Sequence, residues 1–151
     1  MPDLRLHIRR SRRTDFTAVM GLLTACGHPV PPPDRATLRR FRHVVADLGA
    51  DFYLALVDAE IVGLVHVTYA RGLTMGPRAG LDQLLVADAF RRRGVGAALL
   101  EFAQRRARNR GCTALYCALP MASAGRGLLT KAGLQPVGEW FVKDLSNQPA
   151  A

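Results

Sequence analysis

Apolar side chains recur along the chain every second residue in some stretches and every third or fourth in others, and the order of the two rhythms outlines a fold. Leu4-Arg5-Leu6-His7-Ile8 alternates and predicts a half-buried strand. Thr14 and Asp15 supply N-cap oxygens to a helix whose apolar face uses Phe16, Val19, Met20 and Leu23. Gly27-His28-Pro29-Val30-Pro31-Pro32-Pro33 predicts a stiff loop, after which Asp34 caps a second helix running to about Leu48. Phe52 to Val57 and Ile61 to Tyr69 predict strands joined by a hairpin at Asp58-Ala59-Glu60. Proline and glycine around Met75 predict a loop from Arg71 to Gly80, followed by a strand from Leu81 to Val86. Val95, Leu99, Phe102 and Ala103 then repeat at helical spacing, which predicts a helix from about Gly94 to Asn109, stopped at Gly111. The chain closes with a strand from Thr113 to Leu119, a short helix near Ala124 to Ala132 ended by Gly133, a terminal strand or hairpin from Val137 to Leu145, and a loose tail from Ser146. The order β-α-α-β-β-β-α-β-α-β holds no linker, repeat or low-complexity tract, so residues 1–151 are expected to form a single domain.

Composition narrows the class. A chain of 151 residues with 49% apolar content can bury a core of its own. It contains no run of about 18 apolar residues, and Met1-Pro2-Asp3-Leu4-Arg5 lacks the apolar stretch of a signal peptide, so a cytoplasmic protein without a membrane span is expected. Cys26, Cys112 and Cys117 are an odd number without C-x-x-C spacing, which suits reduced thiols, and His7, His28, His43 and His66 are too scattered to suggest a metal site.

The formal charge of +9 comes almost wholly from arginine, since Lys131 and Lys143 are the only lysines. Two clusters stand out, Arg9-Arg10-Ser11-Arg12-Arg13 and Arg105-Arg106 with Arg108 and Arg110. Such clusters can hold nucleic acid through phosphate contacts, but no aromatic platform or reading helix accompanies them. Solvated arginines together with a polyanionic cofactor form the simpler reading.

The cofactor is suggested by one passage. The strand from Leu81 to Val86 leads into Ala87-Asp88-Ala89-Phe90, then Arg91-Arg92-Arg93-Gly94-Val95-Gly96-Ala97, then the amphipathic helix. A helix N-terminus offers unpaired N–H groups to a polyanion, two glycines let it come close, and three arginines add charge. A P-loop would need G-x-x-x-x-G-K-[ST], which this passage does not contain. A dinucleotide fingerprint would need a third glycine where Leu99 stands, and a carboxylate on the following strand, which carries none. What remains is R/Q-x-x-G-x-G/A after a strand exit.

Arg91-Arg92-Arg93-Gly94-Val95-Gly96 matches that pattern at every defined place and resembles the acyl-CoA-binding motif of the GCN5-related N-acetyltransferases (GNAT). The order of elements resembles the same family over nearly the whole chain. Glu60-Ile61-Val62-Gly63-Leu64-Val65 looks like its central hairpin, and Lys131-Ala132-Gly133-Leu134-Gln135-Pro136-Val137 like its E-K-x-G-F ending. The resemblance implies an α/β (α+β) fold: a central mixed, mostly antiparallel, twisted sheet of about six to seven strands flanked by about four helices. Acyl-CoA would lie in the splay between two central parallel strands, here Leu81–Val86 and Thr113–Leu119.

On that resemblance, the backbone N–H groups of Arg91, Arg92, Arg93, Gly94, Val95, Gly96 and Ala97 would bind the pyrophosphate of acetyl-CoA, and the backbone at Leu84, Leu85 and Val86 would pair with the pantetheine arm. Acetyl transfer to an amine needs a neutral nitrogen and a proton for the departing thiolate. Asp82 is the candidate base, because diamine acetyltransferases carry a glutamate at the matching place. A carboxylate of ordinary pKa, about 3.9, would act through water, and an ion-paired strand aspartate is the alternative. The tyrosine that most family members carry on the last helix is replaced by Leu129, and the usual asparagine near the start of that helix by Ala122. Tyr116 and Ser123 are candidate substitutes for the acid, beside water.

The loops Cys26–Asp34 and Tyr69–Gly80 carry Arg71 and Arg78 and little acid, which predicts an acceptor with an anionic group, such as an amino acid or a peptide N-terminus. The leading expectation is an N-acetyltransferase that passes acetyl directly to a primary amine in a ternary complex. A non-catalytic acyl-CoA-binding module, favoured by Leu129, and a nucleic-acid-associated basic protein are the alternatives, and a homodimer is left open.

Overall fold

Asp58 and Ala59 both adopt positive φ, 49° and 67°, as a two-residue hairpin turn matched to the strand twist requires. They join β2 (Ala50–Val57) to β3 (Glu60–Gly72), paired from Val57 opposite Glu60 to Ala50 opposite Thr68. From this hairpin the sheet grows outward. β1 (Leu6–Arg10) adds antiparallel to β2, β4 (Gly76–Val86) adds antiparallel to β3, and β5 (Leu115–Cys117) lies parallel to β4, giving the order β1-β2-β3-β4-β5. The structure, a computed structural model, describes residues 4–118 and 125–146. Contacts divide the chain into two compact units, Met1–Cys117 and Ala118–Ala151.

In the first unit, period-two alternation gives the sheet two apolar faces. One carries Phe52, Leu54, Leu56 and Leu64, which form a core with Val19 and Leu22 of α1 (Phe16–Ala25). Phe41 of α2 (Arg35–Ala46) joins its margin, its ring 6.1 Å from that of Phe52. Asp34 starts α2 by accepting the Thr37 N–H at 2.9 Å, a side-chain cap. α3 (Val95–Asn109) lies on the other face and buries Val95, Leu99, Leu100, Ala103 and Ala107. It approaches most closely at Gly63, where a Cβ would stand 2.9 Å from the Leu85 carbonyl oxygen and 3.0 Å from Leu99 Cδ1.

The second unit holds α4 (Arg126–Lys131). Gly133 at φ +92° ends it, with the Gly133 N–H on Thr130 O at 3.0 Å and the Leu134 N–H on Leu129 O at 2.9 Å, the paired bonds of a Schellman stop.

Several expectations need correction. The sheet has five strands, not six or seven, because Val137–Leu145 forms no strand among the described residues. Val137, Trp140, Phe141, Val142 and Leu145 are exposed: apolar and aromatic residues do not make a strand without a neighbour to pair with. The predicted loop Arg71–Gly80 is paired ribbon, with Arg71 opposite Pro77 and Gly72 opposite Gly76. Pro77 is tolerated because pairing to β5 begins only at Ala79. β1 runs to Arg10 rather than ending at Ile8, and α1 buries Leu22 where Met20 and Leu23 are half-buried. Asp15 gives α1 no side-chain cap; its carboxylate accepts from Arg9 and from the Arg12 N–H instead. Leu119, Ala122, Ser123, Ala124 and the tail beyond Ser146 lie outside the described residues. Among those described, no helix is long and apolar enough to cross a membrane.

Candidate functional site

Leaving β4, the chain makes a 3-10 turn at Asp88–Phe90, in which the Phe90 N–H bonds to Ala87 O and the Arg91 N–H to Asp88 O. The Arg91 side chain is occupied locally, with Nε 3.2 Å from Asp88 Oδ1. Arg93 lies over the Phe90 ring, 5.3 Å from its centroid. Arg92 at φ +58° and Gly94 at φ +87° then turn the backbone into α3. As a result, the six consecutive N–H groups from Arg92 to Ala97 have no hydrogen-bond acceptor among the described residues. Nothing lies within 4 Å of the place a Gly94 Cβ would take, so its φ, not crowding, calls for glycine there. A non-glycine residue held in the left-handed region costs about 1–3 kcal/mol, and such strain gathers at ligand sites.

β4 has a second open feature. It pairs with β5 only at Ala79–Leu115, Gly80–Tyr116 and Leu81–Cys117. From Asp82 to Val86 it keeps β3 on one side and has no strand on the other among the described residues. This edge runs on along the chain into the N–H array, through Leu84 and Val86. The Leu85 carbonyl turns toward β3, 2.9 Å from where a Gly63 Cβ would stand, and Val86 O accepts from Arg91 Nε at 3.4 Å. The array and the edge suit a ligand that carries phosphates at one end and an extended amide arm at the other.

The face of the sheet that meets α1 carries the polar groups. Val67 pairs with Leu81 and His66 with Gln83, so Asp82 is an extra residue, a β-bulge, beside His66. Asp82 is exposed. Its Oδ1 stands 3.7 Å from where a Gly80 Cβ would be, and Thr68 Oγ1 3.3 Å from the same point. Having no side chain, Gly80 lets Thr68 and Asp82 close in over its Cα. His66 is half-buried, with its ring 5.2 Å from that of Phe52 in edge contact. Burial pushes the His66 pKa below 6.5, and the charges of Asp82 and Asp47 only partly oppose this. Burial also raises the Cys117 thiol, helped by Asp82. Cys26 Sγ reaches Val86 O at 3.6 Å, and burial raises that thiol too.

Tyr116 lies opposite Gly80 on β5, with the Arg78 guanidinium 5.8 Å from its ring centroid. Asp82, Tyr116 and Arg78 therefore share one region. Arg71 does not: Arg78 pairs with Ala70, so Arg71, the next residue along β3, points from the opposite face, and the two arginines form no common grip. His66 escaped the sequence reading, which weighed histidines only by metal-ligand spacing. Period two puts His66 and Thr68 on one face, but the bulge that brings Asp82 beside them has no sequence signature.

The arginine clusters are partly consumed by the fold. Arg9 holds Asp15 at 2.8 Å, and Arg10, Arg106 and Arg110 converge on the buried Asp51. Arg12, Arg13, Arg105 and Arg108 stay exposed.

The chain matches the model of the acetyltransferase (GNAT) family over residues 15–133. No curated protein matches it significantly. Among solved structures it is similar to a transcriptional regulator from Bacillus halodurans C-125, with 22% identity, a TM-score of 0.84, and coverage of 93% of this chain and 100% of that one. A ribosomal-protein-alanine N-acetyltransferase from Brucella melitensis biovar Abortus 2308 is 20% identical, with a TM-score of 0.74 over 93% of this chain and 99% of its own. An aminoglycoside N-acetyltransferase solved in complex with CoA is 19% identical, with a TM-score of 0.79 over 97% and 99%. At such identities the likeness is one of fold.

Proposed function

Because the chain belongs to the GNAT acetyltransferase family, whose members use acetyl-CoA, we propose that it transfers an acetyl group to a primary amine of a small molecule, an amino acid or a peptide N-terminus. The observation that carries this reading is the row of six unpaired N–H groups, Arg92 to Ala97, continuous with the bare edge of β4.

Bound acetyl-CoA supplies an activated acetyl thioester. The N–H groups from Arg92 to Ala97 hold its pyrophosphate, with the positive end of α3 and the charges of Arg91, Arg92 and Arg93 beside them. The open edge of β4, reached by the backbone groups of Leu84 and Val86 while those of Leu85 face β3, would pair with the pantetheine arm as an added strand does. The acceptor amine enters over the face of β4 that carries the exposed Asp82. The exposed Asp82 carboxylate draws a cationic amine in, and Tyr116 is the hydroxyl at hand as proton donor. Arg78, beside Tyr116, suits a carboxylate on the acceptor, which favours amino acids and peptides over polyamines.

Calorimetric titration of the protein with acetyl-CoA, CoA and dephospho-CoA tests the first half. Saturable micromolar binding is expected, and absence of binding overturns the proposal. Thiol release from acetyl-CoA in the presence of amino acids and dipeptides tests the second. Binding without release, over a broad acceptor panel, would instead identify a non-catalytic acyl-CoA-binding module.

A further inference from the structure

We propose that His66, backed by the carboxylate of Asp82 on the neighbouring strand, is the group that takes the proton from the acceptor amine; this rests on the acetyl-transfer reading above.

Three features of the molecule meet at this histidine. The bulge sets Asp82 and Gln83 together opposite His66, near enough for the Asp82 charge to act on the imidazole. Phe52, itself 5% exposed and part of the core with Val19 and Leu22, fixes one side of the imidazole by edge contact. Gly80 lies on the same face, with Thr68 and Asp82 drawn in over its Cα. Because Asp82 and Gln83 lie directly across from His66, an amine held at the Asp82 carboxylate is one strand spacing, about 5 Å, from the His66 position.

The chemistry divides between the two residues. Imidazole is ordinarily the stronger base of the two side-chain types, and burial narrows that lead at His66. The charged groups that reach His66 are Asp82 from β4 and Asp47 from the connection between α2 and β2; β2 presents the uncharged Phe52 ring, and α1 presents Val19 and Leu22. Burial outweighs both carboxylates and keeps the imidazole neutral near pH 7, ready to accept a proton. Once the proton arrives, Asp82 stabilises the imidazolium.

The step balances. An ammonium acceptor gives its surplus proton to an imidazole nitrogen, which passes it on to solvent. As the C–N bond forms and the C–S bond breaks, the amine's second proton and the C–S electron pair end on the thiol product.

The test has two arms. NMR titration of the histidine side chains, in the protein without ligand, should show His66 with a midpoint below 6.5, and that midpoint should fall further in Asp82→Asn, an exposed position whose change spares the core. A His66 midpoint indifferent to Asp82→Asn overturns the proposal, whether or not any acceptor is known. With acetyl-CoA and amino acids or dipeptides as probes, His66→Gln should lower kcat by about 10²–10⁴-fold. It should also erase the acidic limb of the kcat/KM profile while leaving calorimetric affinity for acetyl-CoA unchanged. Asp82→Asn should retain that limb, moved to lower pH. A His66→Gln chain with unaltered rate and limb overturns the proposal. Failure of the unsubstituted chain to bind acetyl-CoA overturns the acetyl-transfer reading itself.

Discussion

The phenol of Tyr69 donates a 2.5 Å hydrogen bond to Oδ2 of Asp51, and the same ring carries the Arg110 guanidinium 4.3 Å from its centroid. Asp51 is 1% exposed and also accepts from Arg106 Nε and from the Nη2 groups of Arg106 and Arg110, at 3.0–3.2 Å. Arg10 completes the ring at 3.6 Å and donates onward to the carbonyls of Val45, Asp47 and Ala50. One carboxylate thereby ties β1, β2, β3 and the end of α3 to the end of α2.

Asp51→Asn should therefore destabilise the protein at neutral pH. Removing one partner of a buried ion pair costs about 3–5 kcal/mol, and the three arginines keep about a third of their side-chain surface in water, so about 2–3 kcal/mol is expected in urea unfolding. Burial alone would raise the Asp51 pKa, but the bonds from Arg106, Tyr69 and Arg110 hold it below the ordinary carboxylate value. A lowered folded pKa means that this stabilisation is fully present above the unfolded value, about 3.9, and is lost as pH falls through the folded one. The gap between wild type and Asp51→Asn should thus close in acid. A constant gap from pH 7 to pH 3 would show that the charge of Asp51 is not what stabilises this corner.

Local chemistry made much of the molecule legible. Asp34 starts α2, and Gly133 ends α4 where the sequence places them, because caps depend on a few neighbouring residues. The start of α3 was legible for the same reason: Gly94 takes the left-handed φ that only glycine adopts freely. What escaped depends on pairing at a distance. Pro77 and Gly76 read as loop formers, yet β3 and β4 stay in register to Gly72, since a ribbon tip tolerates a proline beyond the reach of β5. Val137–Leu145 shows the reverse, a segment rich in apolar and aromatic residues that forms no strand among the described residues. The candidate site divides the same way: the loop proposed to hold phosphate is contiguous in sequence, whereas His66 and Asp82 are brought opposite one another by a bulge.

Gly63→Ala tests how closely α3 is seated on the sheet. The new methyl would meet the Leu85 carbonyl oxygen at 2.9 Å, a backbone atom that cannot step aside, and Leu99 Cδ1 at 3.0 Å. Overpacking of this kind costs about 1–3 kcal/mol. Because the obstructed carbonyl belongs to β4, affinity for acetyl-CoA should fall along with the thermal midpoint. A chain with lowered stability and unchanged affinity would separate Leu85 from the cofactor site.

Arg78→Ala should raise the acceptor KM severalfold, whereas Arg71→Ala should leave it unchanged. The pairing of Arg78 with Ala70 turns the two guanidiniums to opposite faces of the ribbon, and only Arg78 is beside Tyr116. A charge-assisted bond to an anionic acceptor contributes about 1.5–3 kcal/mol at most, so an effect of roughly tenfold is the scale to look for. Equal effects from both substitutions would mean that the acceptor reaches around the ribbon tip.

Gly94→Ala and Gly96→Val distinguish a phosphate cradle from an ordinary turn. At Gly94 a methyl meets nothing within 4 Å, so its cost is conformational: φ is +87°, and an L-residue held there loses about 1–2 kcal/mol. Gly94→Ala should therefore lower the thermal midpoint and weaken acetyl-CoA binding only modestly. Gly96 is the second residue of α3 and is not among the residues of positive φ, so no left-handed backbone strain attends a substitution there. Gly96→Val should accordingly leave circular dichroism and folding nearly intact, yet abolish acetyl-CoA binding, because a branched side chain there stands among the N–H groups that face the pyrophosphate. If the loop were only a turn from β4 into α3, the ranking would reverse, with Gly94→Ala the more harmful in every assay and Gly96→Val close to neutral.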